Sequence, residues 1–262
     1  MKLTQKTKRI IALSVSALLF LIALVLYLNP VIRNKAIASG SNEYTIMRVE
    51  DNKIKENAQK VKEGKVGNFD MNSVEPLDAQ AVIQERLSHG NNASNNTQGK
   101  REDSFLSLGG IAIPELGMNL PIFAGLDNES LYYGAGTMDA NQVMGQGNYA
   151  LASHHVFGIA GDSEMLFSPL ERAQNGQKIY LTDKSKVYTY EIDTIKRVKP
   201  DQGAEVLAER ITPTVTLITC TDAYATERII VQATLVDETE WSARTETMKN
   251  AFDREYNKLW YW

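Results

Sequence analysis

The sequence predicts an all-β domain with minor helices, a barrel or a sandwich, behind one transmembrane helix and a partly helical spacer. Three observations carry that reading. Residues 10–28 run without a charge, just after a basic flank. Residues 29–103 are polar and weakly patterned, and they end in a stretch rich in Gly, Asn, Ser and Gln. From residue 104 onward, short runs rich in Val, Ile, Thr and Leu alternate with Gly, Pro, Asn and Asp, the pattern of many short strands joined by turns.

Residues 1–9 carry Lys2, Lys6, Lys8 and Arg9 and no acid, which marks a cytoplasmic tail. Residues 10–28 have the length to cross a bilayer as a helix, and Asn29-Pro30 is expected to end it. The chain then reads as a single-pass protein of the cell membrane, N-terminus inside and everything after residue 28 outside. A cleaved signal peptide is the competing reading, with Ala36-Ile37-Ala38 as a small-x-small cleavage site. The apolar segment is longer than a usual signal core, which favours a retained anchor. Residues 29–103 read as an extracellular spacer that holds the next domain off the membrane. Gly64 and Gly67 break it, and Val74, Leu77, Ala81 and Val82 predict a helix within 74–87. Residues 89–101 read as a flexible loop, with His89 solvated in it; Asn92 and Asn95 open glycosylation sequons that matter only in a eukaryotic secretory route.

Within 104–238, strands are expected at 108–113, 119–123, 148–153, 177–182, 186–198, 213–220 and 228–237. A brief helix is expected over 167–173, with Pro169 in its first turn. Residues 199–212 form a long connection, a candidate binding wall. Residues 239–262 predict an amphipathic C-terminal helix, with Trp241, Met248, Phe252, Tyr256 and Leu259 near one stripe. That stripe suits packing on the domain; a membrane-surface helix is the alternative, given Trp260, Tyr261 and Trp262.

The formal net charge is −4, so no basic surface points to nucleic acid. One cysteine excludes an internal disulfide, and three histidines without close ligand spacing argue against structural zinc. That cysteine, Cys220, closes the run Val215-Thr216-Leu217-Ile218-Thr219, and Arg228 opens the next run eight positions later. A hairpin centred near Tyr224 sets Cys220 opposite Arg228, on one face of the sheet. His154 ends a third apolar run, Ala150-Leu151-Ala152-Ser153. A cysteine and a distant histidine, each at a strand end, suit a nucleophile and its proton partner. Taken singly, a buried structural cysteine and a solvated arginine remain the plain alternatives.

These residues resemble the class A sortases. The resemblance rests on Thr216-Leu217-Ile218-Thr219-Cys220, on Glu227-Arg228-Ile229-Ile230-Val231 and on Ala152-Ser153-His154, and it covers residues 104–238 behind a membrane anchor. It implies a sortase-type β-barrel of eight strands and a cysteine transpeptidase. Such an enzyme would cut a C-terminal Leu-Pro-x-Thr-Gly signal of surface proteins after Thr, through a thioester. It would then transfer them to lipid II or a peptidoglycan cross-bridge amine. The implied roles are Cys220 as nucleophile, His154 as general acid and then base, and Arg228 as donor to the oxyanion or to substrate carbonyls. Alternation along a strand sends only one of His154 and His155 toward Cys220, and the motif selects His154. Ala152, Ile218, Thr219, Val206, Leu207, Leu131 and the rim residue His155 are the implied substrate groove, with a core role as the alternative for the apolar ones.

Some class A sortases hold calcium on acids shortly before the histidine strand. Here residues 138–147 offer only Asp139, with Gln142 and Gln146 where acids are expected. No cofactor and no calcium requirement are therefore expected. A cysteine hydrolase using the same residues, and a non-catalytic wall-binding β-domain, are the competing functions.

Overall fold

The computed structural model of the chain describes residues 4–64, 66–91, 105–158, 161–202, 207–208 and 210–255. Its strands are β1 (Ser107–Ile113), β2 (Met118–Phe123), β3 (Ala135–Thr137), β4 (Asn148–Ala152), β5 (Lys178–Thr182), β6 (Lys186–Val198), β7 (Thr214–Cys220) and β8 (Arg228–Glu240). They close into a barrel in the order β1-β2-β3-β4-β7-β8-β6-β5. The pairs β2–β3 and β4–β7 are parallel, and the other neighbours are antiparallel. All seven expected strands form. β3 is the addition: Ala-Gly-Thr is too short and too poor in β-branched residues to announce itself.

The period of two decides which side chains fill the barrel. Ile111, Ile113, Leu151, Tyr190, Leu217 and Val231 belong to one buried cluster inside it. Their neighbours Ala150, Ile218 and Ile230 turn outward and pack with Leu126, Leu131 and Met138. Cys220 and Arg228 share the parity of Ile218 and Ile230, so both lie on the outer face of β7 and β8.

The N-terminal part differs from the expected spacer. Helix α1 (Gln5–Glu43) runs through Pro30 and does not end there. Proline removes one backbone donor, and the turns beyond it are held by packing. Arg33, Asn34, Ile37, Gly40 and Ser41 are buried at intervals that keep them on one face. Gly40 is required at that contact, because a Cβ there would come within 2.2 Å of the Tyr133 ring. The Ser41 hydroxyl donates to the Tyr133 carbonyl at 2.6 Å.

Helix α2 (Asp51–Lys62) lies on β1, with Asn57 Nδ2 donating to the Ser107 carbonyl at 2.9 Å. Helix α3 (Ala79–Asn91) packs on α1. It starts after Val74 and Leu77, later than periodicity suggests. Pro76 disfavours helix at Glu75, and Asp78 Oδ1 accepts from the Ala81 amide at 2.8 Å as an N-terminal cap. The later turns of α1 and helix α2 thus lie against the barrel, with α3 on α1, where a spacer was expected.

The C-terminal helix is shorter than the expected 239–262. β8 continues to Glu240, and α4 is Glu246–Asp253, capped by Thr245. Met248 and Phe252 are buried with Ala112, Tyr180, Ile46 and Ile54 on the outside of the barrel. Burial of a side chain such as Phe252 contributes about 2–3 kcal/mol. Tyr256, Leu259 and Trp260 to Trp262 lie outside the described residues, as do Asn92 and Asn95.

Candidate active site

Two strands that run the same way bring the key residues together. β4 and β7 pair in parallel up to Ala152 and Ile218. Beyond that last rung the chains stay joined: the Ser153 amide donates to the Ile218 carbonyl at 3.2 Å, and the Thr219 hydroxyl donates to the Ser153 carbonyl at 2.8 Å. Ser153 Oγ donates in turn to the Gly134 carbonyl at 2.7 Å. His154 and Cys220 therefore emerge at the same end of the barrel. On the other side of β7, Cys220 pairs with Arg228 across the ladder.

Cys220, His154, His155 and Arg228 all line one groove of about 340 Å³. The two histidines line it on different ring partners, and alternation does not govern them. β4 ends at Ala152, so the pair lies past the region where the pleat dictates direction. His154 is 8% exposed, its ring stacks on Tyr132 at 6.3 Å between centroids, and its buried Nε2 has no hydrogen-bond partner. His155 is half-buried and stacks on Phe157 at 4.2 Å. Its Nδ1 lies 2.9 Å from the Cys220 carbonyl, which fixes a proton on that nitrogen. Of the two, only His154 is left with a ring nitrogen that is buried and without a hydrogen-bond partner.

Burial pushes the His154 imidazole down to about 4. Burial also pushes the Cys220 thiol up; Arg228 opposes this and Asp222 adds to it. Both groups are therefore neutral at pH 7, and the reactive thiolate–imidazolium form is a minority. His155 is lowered by burial, against its bond to the Cys220 carbonyl.

The β7–β8 turn holds Arg228. Asp222 accepts from the Thr226 hydroxyl at 2.6 Å, and from the amides of Tyr224 at 2.8 Å, Thr226 at 3.0 Å and Glu227 at 3.3 Å. The Thr226 hydroxyl, first among these, holds the Asp222 carboxyl below the usual range. Ala225 sits at φ 56°, a left-handed conformation uncommon for alanine. Its carbonyl accepts from Arg228 Nη1 at 2.7 Å, and that of Glu227 from the same nitrogen at 3.2 Å. One arm of the guanidinium is thus tied down, which leaves the other donors for a ligand.

Of the expected substrate residues, Ala152, Ile218, Thr219, Leu131 and His155 line the groove. Leu207 does not. It borders a neighbouring depression with Met138, Asp139, Gln142 and Gln146, while packing against the cluster that contains Ile218. Val206 lies outside the described residues. In that depression Gln142 Nε2 donates to the Ala150 carbonyl at 3.0 Å and its Oε1 accepts from the Ala150 amide at 3.2 Å, so this side chain staples a strand. Among the described residues, no group of three or more His, Cys, Asp and Glu gathers in a metal-binding arrangement.

Sequence reasoning missed one wall. Met71, Val74, Glu75, Pro76 and Leu77, all in the expected spacer, line the groove, and so does Arg33 of α1. Asn128 fastens that wall: its Oδ1 accepts from the Glu75 amide at 2.9 Å and its Nδ2 donates to the Ser73 carbonyl at 3.3 Å. Pro76 was the one local signal, an extended stretch where a helix was expected.

The model of the sortase domain matches residues 111–236. Sortase A of Streptococcus agalactiae is 46% identical over 246 residues, 92% of this chain and 91% of that protein. Sortase A of Listeria monocytogenes is 30% identical over 227 residues, 87% of this chain and 92% of that protein. The crystal structure of the Listeria enzyme superposes with a TM-score of 0.50 at 34% identity, over 56% of this chain and 96% of the other.

Proposed function

The chain belongs to the sortase family, and on that premise we propose that it cuts a Leu-Pro-x-Thr-Gly signal between Thr and Gly and joins the freed carbonyl to a cell-wall precursor amine such as lipid II. Membership makes it a cell-wall-anchoring transpeptidase; the signal, the thioester and the acceptor are the proposal. The observation that carries it is the grouping of Cys220, Arg228 and His154, with the unpartnered Nε2 of His154, in one groove.

The steps follow from these environments. The thiol proton passes to His154, and the Cys220 thiolate attacks the Thr carbonyl carbon. Charge develops on the carbonyl oxygen, where an Arg228 N–H donates to it. The C–N bond to Gly breaks as the His154 imidazolium protonates the leaving amine, which leaves a thioester on Cys220. The acceptor amine then attacks the thioester and loses its proton to His154. The C–S bond breaks, and Cys220 regains the proton. The neutral resting pair keeps the thiol unreactive toward stray electrophiles between turnovers.

Residues 10–28 hold the enzyme in the cell membrane, N-terminus in the cytoplasm and barrel outside. Activity needs no calcium, a reading supported by the lone Asp139 and by the stapling role of Gln142. The test incubates the protein with a Leu-Pro-x-Thr-Gly peptide and a short amine and reads the products by mass spectrometry. A ligated product that disappears in Cys220→Ala is expected. Cleavage to the free acid alone, with amine present, would replace transfer with hydrolysis.

A further inference from the structure

The apolar run of α1 ends at Leu28, and burial by the folded domain begins at the next residue. Asn29, Pro30 and Val31 are half-buried, and Arg33 and Asn34 are buried. Residues 10–28 measure about 28 Å as a helix, close to the roughly 30 Å of a bilayer's hydrocarbon core. No residues remain to lift the domain away. Nor is the junction a hinge, because α1 is one helix of 39 residues across it.

Arg33, five residues past Leu28, stands about 8 Å further along the axis. It is itself a wall of the reaction groove. Its Nη2 lies 2.6 Å from Asp162 Oδ1, which also accepts from Asn34 Nδ2 at 2.6 Å, and Asp162 is 3% exposed. Arg33 Nη1 donates to the Phe157 carbonyl at 3.4 Å, and the Phe157 ring carries the His155 ring. A short, buried set of contacts thus fixes the groove to the helix. Beyond the hydrocarbon, the headgroup layer extends about 5–8 Å on each side.

We propose that the end of the domain at Asn29 and Phe157 rests on the lipid surface, and that the buried Arg33–Asp162 pair behind it holds the reaction groove at headgroup level, where it meets an acceptor amine borne on a membrane lipid. The proposal rests on the anchor reading of residues 10–28 and names where the transfer takes place.

The test uses the full chain in vesicles. Cys220 is the only cysteine, so a thiol-reactive fluorophore reports from the groove alone. Nitroxide carried on lipid headgroups is a contact-range quencher. Strong quenching is expected in the native chain. It should fall several-fold when seven polar helical residues are inserted between Leu28 and Asn29, which lifts the domain by about 10 Å with its face nearly unrotated. In unlabelled protein the same insertion should slow ligation to an amine on a lipid headgroup several-fold and leave ligation to a soluble amine unchanged. Equal quenching with and without the insertion, or equal use of both amines by both proteins, would overturn the placement. Absence of ligation to either amine by the native chain, with quenching as expected, would remove the proposed reaction and leave the placement standing. Failure of the native chain to float with the vesicles would remove the anchor, and the placement with it.

Discussion

Cys220 and Arg228 are the last residue of β7 and the first of β8, and they pair directly across the ladder. The ladder register by itself puts a thiol and a guanidinium on one face. Arg228 is the one neighbour that draws the thiol pKa down against burial.

Arg228→Ala is expected to lower kcat/KM by about a hundred- to a thousandfold, the usual effect of losing an oxyanion donor. Arg228→Lys should recover little, because one ammonium cannot bond the Ala225 carbonyl and a substrate oxygen with a fixed fork. The rate of Cys220 alkylation against pH checks the electrostatic part. Its midpoint should move up in Arg228→Ala and stay near the native value in Arg228→Lys.

The opposed shifts of His154 and Cys220 predict a broad pH–rate plateau. The acid limb should fall near pH 4, where His154 protonates, and the alkaline limb above the usual thiol value of 9. Between them the active ion-pair fraction is constant. A narrow bell centred on pH 6–7 would contradict the burial of both groups.

Stability should follow the same histidine. Folding lowers the His154 pKa from 6.5 to about 4, so the unfolded chain binds a proton that the folded chain refuses. Its contribution is constant above pH 6.5 and is lost as pH falls toward 4, by about 3 kcal/mol. Urea midpoints at pH 7.5 and 4.5 test this: the drop should shrink in His154→Gln.

Breaking the buried Arg33–Asp162 pair is expected to destabilise by about 3–5 kcal/mol, since Arg33→Ala or Asp162→Ala leaves a charge without its partner. Arg33→Met with Asp162→Leu should recover most of that loss. Denaturant titration of the native protein, Arg33→Met, Asp162→Leu and the double variant gives the coupling directly.

Asn128→Ala should loosen the wall formed by residues 71–77, which Asn128 holds by two hydrogen bonds. Faster amide exchange there and a several-fold rise in KM for the signal peptide, with kcat retained, are expected. A fall in KM would mean that the wall obstructs the groove instead of shaping it.

The parts legible in the sequence were those set by local pattern. The β-branched runs gave seven strands, and the spacing from Cys220 to Arg228 gave the register of β7 on β8. What escaped depended on contacts distant along the chain. The glycine-flanked β3 is held by neighbours more than its own residues. Pro30 reads as a helix end, yet Arg33 and Ile37 find partners on the barrel that carry α1 past it. The groove wall at Val74 to Leu77 becomes visible only once Asn128 is in place. His154 and His155 could not be told apart by alternation, because the strand ends two residues before the first of them.

Because β4 and β7 run side by side in one direction, the segments that leave their ends can lengthen, shorten or change composition without altering how far apart the two strand ends stand. Peptide preference is then free to diverge in those segments, while the pairing frame from Asn148–Thr214 to Ala152–Ile218 is not. A slip of one residue there would carry Cys220 through to the interior side. New specificities should therefore be obtainable by exchanging connections, and an inactive protein should be the usual product of any single-residue insertion or deletion inside either strand.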